Sequence, residues 1–391
     1  MAKTLIIRGA TYDITSFSKI HPGGNVITFY DGLDATDAFD TFHVHSKKAN
    51  LMLNSLRIKA IDVIESESSF TTMVESWKDQ GLYHSNYYEF FIWGGVVSMI
   101  TFLGLWLQML GYPICGGIIT GVGWGQCGFV QHHAGHLGFT GNPRVDHVVQ
   151  DFFEGFLKGG SASWWRNRHN KHHAMPNSIG YDGDLRTTPF FAWDDVLVNK
   201  VPSFLLRVQH ILIFPAMLLY VPLFLVTTKL FMIRKKKWYE LSIVGLHHVC
   251  FGMFCRNIQD FLLFYGLGYS LQGLYLGIMF SINHMAMPRI DNVGDDWFDR
   301  QLISTCNWGA NSKVALYASG FLNLQIEHHI APQMPPEHYM KISKDIQKLA
   351  KEKSIPYRNY TFWDGLVLFV QTLKDTADKE LNRRRLKEKQ L

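Results

Sequence analysis

Charged residues are scarce in this chain, and the shortage is concentrated in a few long segments. Only 18% of the 391 residues are Asp, Glu, Lys or Arg, against about 25% in ordinary globular domains. Positions 90–143 contain no charged residue at all. So long an uncharged stretch argues against a soluble protein and predicts helices that cross a membrane, for which about 20 apolar residues suffice.

Cysteines are also few, and internal repeats and low-complexity tracts are absent. The odd number of cysteines and the lack of a C-x-x-C pair argue against a disulfide framework and predict reduced thiols. The first twenty residues are mixed and polar, unlike a secretory signal peptide. The net charge of +5 gives no reason to expect nucleic acid as a partner, but it suits anionic lipid headgroups. The cysteines are Cys115, Cys127, Cys250, Cys255 and Cys306.

Several apolar segments are long enough to be examined as membrane spans. Phe90–Leu110 and Ile114–Val130 read as two spans that turn around at residues 111–113. Three more follow: Val208–Thr228, which contains two prolines, the short Leu241–Cys255, and the charge-free Phe261–Pro288.

Histidine is the abundant residue, and the 18 histidines are clustered. The chain reads QHHAGH at 131–136, RNRHNKHH at 166–173, SINH at 281–284 and QIEHH at 325–329. Residues three and four apart share a helix face, whereas adjacent residues point about 100° apart. Each HH pair can therefore direct one imidazole to one metal ion and its neighbour to a second. Eight candidate ligands exceed the four of a tetrahedral zinc, although imidazole suits iron, copper and zinc alike. They are His132, His136, His169, His172, His173, His284, His328 and His329.

The histidine motifs resemble the three boxes of membrane-bound fatty acyl desaturases. HHAGH is similar to the first box, HNKHH to the second and QIEHH to the third. A glutamine that replaces the first histidine of the third box is typical of the front-end branch, which inserts a double bond between an existing one and the carboxyl end. The stretches LKGGSASWWRNRHNKHHAMPN and LNLQIEHHIAPQMP resemble this branch beyond the histidines. One residue departs: His133 stands where the family usually has Asp.

This resemblance implies a di-iron centre, held by the eight histidines, that activates O2 and removes two hydrogens from an unsaturated long-chain acyl group. Such unactivated carbons require a redox cofactor. It also implies that Gln325 lies near the metals without being a strong ligand, and that the lipid substrate is an acyl-CoA or an acyl-phospholipid. The alternatives are a sphingolipid long-chain-base desaturase, a hydroxylase of the same superfamily, or a b5-type membrane electron carrier that donates to other proteins.

The N-terminal segment resembles the haem-binding module of cytochrome b5. His21 opens an HPGG motif, and DATDAFDTFHVHS at 34–46 supplies a second histidine. Two axial imidazoles would reserve haem b for electron transfer. His43 is favoured as the second ligand, because the modules of front-end desaturases place it four residues after the position of Phe39; His45, in an HS pair as in ordinary b5, is the alternative. The resemblance implies NADH-dependent cytochrome b5 reductase as the electron donor.

The expected architecture is a small α+β cytochrome b5-like domain followed by an all-α transmembrane desaturase domain with about four spans and interfacial helices. The predicted boundaries are 1–62 for the b5-like domain, 63–87 for a linker, 88–373 for the desaturase domain and 374–391 for a charged cytosolic tail. A b5 module normally has a helix and an aromatic-rich segment before the strand that TLIIRGATYDIT resembles. The module is therefore either minimal or truncated at its start.

The expected topology follows from electron transfer. The haem domain and all histidine boxes must share the cytosolic side, so an even number of crossings separates the second box from the third. The basic run 234–237 favours the cytosol by the positive-inside rule. Val208–Thr228 is therefore predicted to lie at the interface or re-enter without crossing. Leu241–Cys255, with its flanks, and Phe261–Phe280 are then the third and fourth spans.

The last five residues, KEKQL, resemble a dilysine retrieval signal, with Lys387 and Lys389 five and three positions from the end. This motif predicts a multi-pass protein of the endoplasmic reticulum membrane whose N- and C-termini are both cytosolic.

Overall fold

The computed structural model describes residues 2–59, 69–290 and 296–390. It confirms the expected fold class, with a small sheet-containing N-terminal domain followed by a helical domain. The b5-like domain consists of β1 (Thr4–Ile7), β2 (Ala10–Asp13), a 3-10 helix (Gly24–Tyr30), α1 (Thr36–Phe42), α2 (Lys47–Ser55) and β3 (Arg57–Lys59).

The sheet of this domain is antiparallel, in the order β1-β2-β3. Side chains alternate along its strands, so that Leu5 and Ile7 of β1 are buried with Ala10 and Tyr12 of β2. Period-two alternation of this kind buries one face of the sheet, and here the buried side chains share a core with Ala38 of α1 and Leu53 of α2.

The b5-like domain and the desaturase domain share one hydrophobic core. The helix α3 (Ser69–Asp79) contributes to it, since Phe70, Val74 and Trp77 are buried in that core. This helix falls within the predicted linker 63–87, and its three large apolar side chains are spaced on one face, as in a helix that packs against a core. Residues 63–68 lie outside the described residues.

The first two predicted spans form a helical hairpin, α4 (Tyr87–Met109) and α5 (Pro113–Gly135). Helix α5 packs against α11 (Ile258–His284) through small residues. A Cβ at Gly117 would lie 2.8 Å from the Phe264 carbonyl oxygen, and one at Gly121 would lie 2.8 Å from that of Gly268. This close approach, typical of small residues in membrane helices, brings the histidine-bearing C-terminal ends of α5 and α11 together.

Three helices of the described residues are long and apolar enough to cross a membrane: α4, α9 (Gln209–Arg234) and α11. Helix α9 is continuous over 26 residues although Pro215 and Pro222 lie inside it, so the prolines do not divide the segment. Helix α10 (Trp238–Gly252) has only 15 residues, fewer than the 17 or so of a spanning helix. The short length of Leu241–Cys255 in the sequence thus agrees with the short helix α10.

Shorter elements surround the histidine-bearing ends and complete the fold. The second histidine box forms α7 (Ala162–Ala174), and the third forms α14 (Gln325–Ile330). The strands β4 (Asn307–Trp308) and β5 (Asn359–Tyr360) pair in parallel. The remaining elements are α6 (Pro143–Gln150), a π-helix (Asp151–Leu157), α8 (Ser203–Leu206), α12 (Trp297–Ser304), α13 (Lys313–Ala318), α15 (Tyr339–Glu352), α16 (Phe362–Glu388) and 3-10 turns at Phe17–Lys19, Gly183–Leu185, Val198–Lys200 and Pro336–His338.

Candidate metal centre and haem pocket

Five histidines from three helices meet at one end of the membrane helices. The Nε2 atoms of His132 and His328 lie 2.7 Å apart, and Nε2 of His328 lies 3.1 Å from Nε2 of His173. Nε2 of His169 also lies 3.1 Å from Nε2 of His173. One ring nitrogen from each of the five lies within 4.8 Å of the others. This five-histidine set is His132, His136, His169, His173 and His328.

Three further histidines form a second set beside the first. The ring centroids of His172 and His284 are 4.6 Å apart, and those of His284 and His329 are 4.7 Å apart. One nitrogen from each of these rings again lies within 4.8 Å of the others. This three-histidine set combines the second box, the end of α11 and the third box.

Each HH pair is divided between the two sets. His173 belongs to the five-histidine set and its neighbour His172 to the three-histidine set, and His328 and His329 are divided in the same way. The centroids within the pairs are 5.7 and 5.6 Å apart, with planes nearly perpendicular. The structure thus brings all eight predicted ligands together. The two histidines of each adjacent pair point to different sets.

The donor set fits metal ions. Nitrogens that share one ion, with bonds of about 2 Å, lie about 3 Å apart, as the Nε2 atoms of this cluster do. Facing unprotonated imidazole nitrogens repel each other at such distances unless a proton or a cation lies between them. Nε2 of His136 and Nε2 of His329 are buried with no hydrogen-bond partner among the described residues, which is the arrangement expected of atoms reserved for a metal.

Hydrogen bonds orient four of the eight rings. A histidine that donates its Nδ1–H to a fixed acceptor directs its Nε2 lone pair away from that acceptor, where a metal can bind. Nδ1 of His172 lies 2.9 Å from Oδ2 of Asp182, and the same oxygen accepts from the backbone N–H of Asn177. The other three acceptors are the Ser304 carbonyl for His284 (3.1 Å), the Tyr339 hydroxyl for His328 (3.0 Å) and Oε1 of Gln301 for His329 (2.9 Å).

Burial keeps most of these imidazoles neutral. It lowers the pKa of His173 and His329 well below the usual value, and neighbouring histidines lower it further. Burial also lowers the pKa of His172, but Asp182 and Asp184 together raise it by more, so the net shift is upward. Neutral rings are the form that binds metal, and a carboxylate partner strengthens His172 as a donor.

His133, the departure from the family pattern, lies in neither histidine set among the described residues. Its Nε2–H donates to the carbonyl of Gly320 at 2.8 Å. Gly320 has a φ of +55°, a left-handed conformation that glycine adopts at little cost. His133 therefore anchors the turn that leads into the third box, a role for which the sequence carried no signal.

Gln325 lies at the three-histidine set. Its Nε2 is 2.9 Å from Nε2 of His284, and its Oε1 accepts from Nδ2 of Asn283 at 2.9 Å. These contacts join the third-box helix α14 to the end of α11.

The HPGG histidine faces a second histidine across a cavity of about 1,180 Å³. The rings of His21 and His43 have centroids 6.2 Å apart, close to the roughly 6 Å expected for two imidazoles on opposite sides of one ion with bonds of about 2 Å. Nδ1–H of His21 donates to the Gly24 carbonyl at 3.2 Å, and that of His43 to the Phe39 carbonyl at 3.0 Å. Both Nε2 atoms are thereby left for a metal.

The glycines of the motif are required by close contacts. A Cβ at Gly23 would lie 2.8 Å from Cε1 of His21, and Gly24, with φ +78°, lies against Nδ2 of Asn167 in the second-box helix. Burial lowers the pKa of His43 to about 4 and also lowers that of His21. Both rings are accordingly neutral, as axial ligands must be.

His45 also lines the haem cavity. It is half-buried, and its Nε2 lies 3.4 Å from the carbonyl oxygen of Gln333. The side-chain amide of Gln333 donates to the carbonyl of Phe42 at 2.8 Å. Gln333, four residues after the third box, thus joins the segment that carries His43 to the segment that carries His329.

The sequence matches two family profiles. Residues 3–62 match the cytochrome b5-like haem/steroid binding domain, and residues 104–361 match the fatty acid desaturase family. The second match covers most of the chain and includes every histidine of the two sets. The chain belongs to the fatty acid desaturase family.

Three desaturases align with more than 90% of this chain. An acyl-lipid (8-3)-desaturase of Rebecca salina is 32% identical over 96% of this chain and 92% of its own length. Another, from Thraustochytrium sp, is 31% identical over 91% and 88%. A delta(8)-fatty-acid desaturase 2 of Arabidopsis thaliana is 26% identical over 95% and 89%. These matches confirm the expectation of a membrane-bound desaturase, an oxidoreductase, with a fused haem-binding domain of the front-end type.

Several residues that shape this desaturase site were missed by sequence reasoning. Asp182, Gln301, Ser304 and Tyr339 orient metal-facing histidines, and Glu327 accepts from Asn307, Ser343 and Tyr357 inside the third box. The only usable signal was the position of Glu327 within QIEHH. The others lie outside every box, so nothing local distinguished them from ordinary polar residues.

Proposed function

We propose that this chain desaturates an unsaturated long-chain acyl group of a membrane lipid, between an existing double bond and the carboxyl end. The observation that carries the proposal is the convergence of eight histidines into two adjacent sets beside a bis-histidine haem pocket. The acyl-lipid names of two relatives favour a lipid-bound acyl chain over acyl-CoA. The electron-carrier alternative leaves the eight-histidine cluster without a role.

Two iron ions, one for each set, are the cofactors that we assign to the cluster. When bound, they would supply the O2 activation that an unactivated methylene pair requires. The chain's own residues orient the ligands: Asp182 and Gln301 hold rings of the three-histidine set, and Tyr339 holds His328 of the five-histidine set. Burial of the cluster excludes water from the reacting centre. We assign Gln325 a positioning role at His284.

Haem b, held by His21 and His43, is the electron carrier in this proposal. The cavity that these ligands line is also lined by His136 of the five-histidine set, which supports direct transfer between the two centres. NADH-dependent cytochrome b5 reductase is the proposed donor to the haem. The proposed haem-binding domain spans 1–62, the desaturase domain 88–373 and the charged tail 374–391.

For the topology, we propose that α4, α5, α10 with its flanks and α11 cross the membrane and that α9 does not. Both ends of α9 support this, because Phe231 and Lys235 line the haem cavity and Gln209 donates to the Leu373 carbonyl of α16 at 2.7 Å. Helix α10 leads from the second box, where Glu240 accepts from Ser161. A glycosylation acceptor at position 236 should remain unmodified; its modification would place that loop in the lumen.

Both termini are then cytosolic, and the endoplasmic reticulum is the proposed location. Lys387 and Lys389 lie in and just beyond the end of α16, accessible to a cytosolic receptor. Changing both to Ala should release the protein from the endoplasmic reticulum. Unchanged residence there would show that the two lysines are not required for retention.

The test of the reaction is lipid analysis in a host that lacks such enzymes and is fed defined unsaturated fatty acids. We expect a product with one additional double bond on the carboxyl side of an existing one, located by mass spectrometry of derivatised esters. The His328→Ala variant is the matched inactive control. A product desaturated on the methyl side, a hydroxylated product, or an altered long-chain base with unchanged acyl chains would overturn the proposal.

A further inference from the structure

The haem cavity is closed by both domains. Its apolar depth belongs to the b5-like domain and includes Ile14, Phe17 and Phe39 around the two histidines. Its opposite wall belongs to the desaturase domain, from the second-box helix α7 and from the end of α9. In an isolated b5-like domain, one edge of the haem would be exposed to solvent. In this chain, a haem bound between His21 and His43 would face the desaturase domain at that edge.

The lining of this cavity is basic and unbalanced. Among the described residues, its lining contains Lys48, Arg166, Lys171, Lys235 and Lys237, and no Asp or Glu. Four of the five belong to the desaturase domain. Arg166 is already engaged, because it donates to Oε1 of Gln150 and faces Asp151. The four lysines form no ion pair with any described residue.

Haem is chemically suited to this wall. Its macrocycle is apolar, whereas its two propionates are ionised at neutral pH and are costly to bury without a partner. Among the described residues of the b5-like domain, Lys48 is the only cation that lines the cavity, and one ammonium cannot neutralise two carboxylates.

We propose that the desaturase domain completes the haem site, with Lys235 at the end of α9, Lys237 at the start of α10 and Lys171 of the second-box helix receiving the haem propionates. The proposal rests on the haem assignment of the proposed function. It makes the bound cofactor a bridge between the domains and links haem binding directly to the second histidine box.

The experiment uses full-length protein in neutral phosphatidylcholine nanodiscs and the double variant Lys235→Gln/Lys237→Gln. Haem transfer to excess apomyoglobin and the haem midpoint potential are measured. We expect transfer to accelerate by roughly tenfold or more, since hydrogen bonds to charged groups are among the stronger ones. The potential should shift negative, because lost positive charge destabilises the more negative ferrous state. Lys171→Gln should act in the same direction.

Two controls separate charge from fold. Lys236→Gln removes a charge from the same run at a residue that does not line the cavity, and it should leave both readouts unchanged. Lys235→Arg/Lys237→Arg keeps the charges and should retain haem. Reconstitution with haem dimethyl ester, which lacks ionised propionates, should abolish the difference between wild type and double variant.

Each contrary result is informative. Wild type without haem would remove the haem assignment itself. Haem-loaded wild type with unaffected variants would overturn only the role of the lysines. A difference that persists with the esterified haem would also overturn it. A difference seen only when phosphatidylserine is added would assign the lysines to lipid phosphates instead.

Discussion

The haem pocket and the histidine cluster both direct imidazoles at a metal position, but they are built in opposite ways. In the pocket, two rings face each other across open space, and backbone carbonyls hold both of them. In the cluster, eight rings fill the space between the helices, and side chains such as Asp182, Gln301 and Tyr339 hold them. Haem brings its own equatorial ligands, whereas bare ions depend on the protein for every orientation.

This difference teaches where each site is vulnerable. The haem pocket needs two ligands and a slot of the right width, so most of its lining needs only to be apolar. The cluster needs each ring to point correctly, so its partners matter almost as much as its ligands. Four substitutions test this difference, and they are given in order of decreasing expected effect.

The largest effect is expected from removing a ligand of the cluster. His172→Ala should lower both bound iron and desaturation by more than about 100-fold, since partner residues alone typically contribute 10- to 100-fold. Iron per polypeptide is measured by mass spectrometry and activity by product analysis. His84→Ala, an exposed histidine outside the cluster, is the matched control. An active, iron-loaded His172→Ala enzyme would contradict the assignment.

The next effect concerns the axial ligands of the haem. His43→Ala should abolish the low-spin bis-imidazole spectrum, because the ring that faces His21 is lost. His45→Ala should preserve it, since His45 contacts Gln333 instead. Absorbance and electron paramagnetic resonance of the full-length protein decide the matter. The reverse pattern would assign the axial position to His45.

A smaller effect is expected from Asp182→Asn. The change keeps an acceptor near Nδ1 of His172 but removes the charge, so we expect iron affinity to fall about 10-fold, within the range known for such partners. Competition with a chelator measures it. Asp184→Asn, whose Oδ2 is 3.7 Å from the same ring nitrogen, should have a lesser effect. Equal losses of iron affinity in the two variants would show that Asp182 is no more important than Asp184 for orienting His172.

The smallest effect is expected at Asp37, at the junction of the domains, and it is a pH dependence of the free energy of unfolding. Burial, then repulsion from Asp296, Asp34 and Asp40, raises the pKa of Asp37 to about 7, against the opposing effect of Lys353. The folded protein therefore binds a proton that the unfolded chain has released, and this contribution to stability is lost as pH rises from about 4 to 7.

Denaturant unfolding at pH 5.5 and pH 8 tests this sign. Asp37→Asn should be more stable than wild type at pH 8 and should show a weaker dependence on pH across the window. A wild type that gains stability as pH rises, with the dependence unchanged in the variant, would contradict the assignment to Asp37.

The sequence predicted well what local spacing determines. The i,i+3 and i,i+4 histidines of α7 share a face, and the adjacent pairs point in two directions, because helix geometry alone requires it. The turn at 111–113 was also foreseeable, since Gly111 and Pro113 end and begin helices for local reasons.

Features set by distant contacts could not be predicted. Tyr339 and Gln301 reach the third box from helices α15 and α12, and no local pattern marks them. The proline-containing α9 continues as a helix where the sequence suggested an interruption, and α3 is buried by surfaces that only the folded chain provides. The pairing of Gln333 with Phe42 spans 291 positions, beyond any periodicity argument.

The shared core of the two domains determines where the haem would be reduced between electron transfers. A haem carries one electron at a time, whereas forming one double bond with reduction of O2 to water requires two from the donor. The b5-like domain is packed against the desaturase domain, since the Tyr30 hydroxyl donates to the Ala174 carbonyl and the Phe42 ring contacts Trp297. If the proposed haem relay is correct, a haem held at this junction would have to be reduced in place, twice in every catalytic cycle.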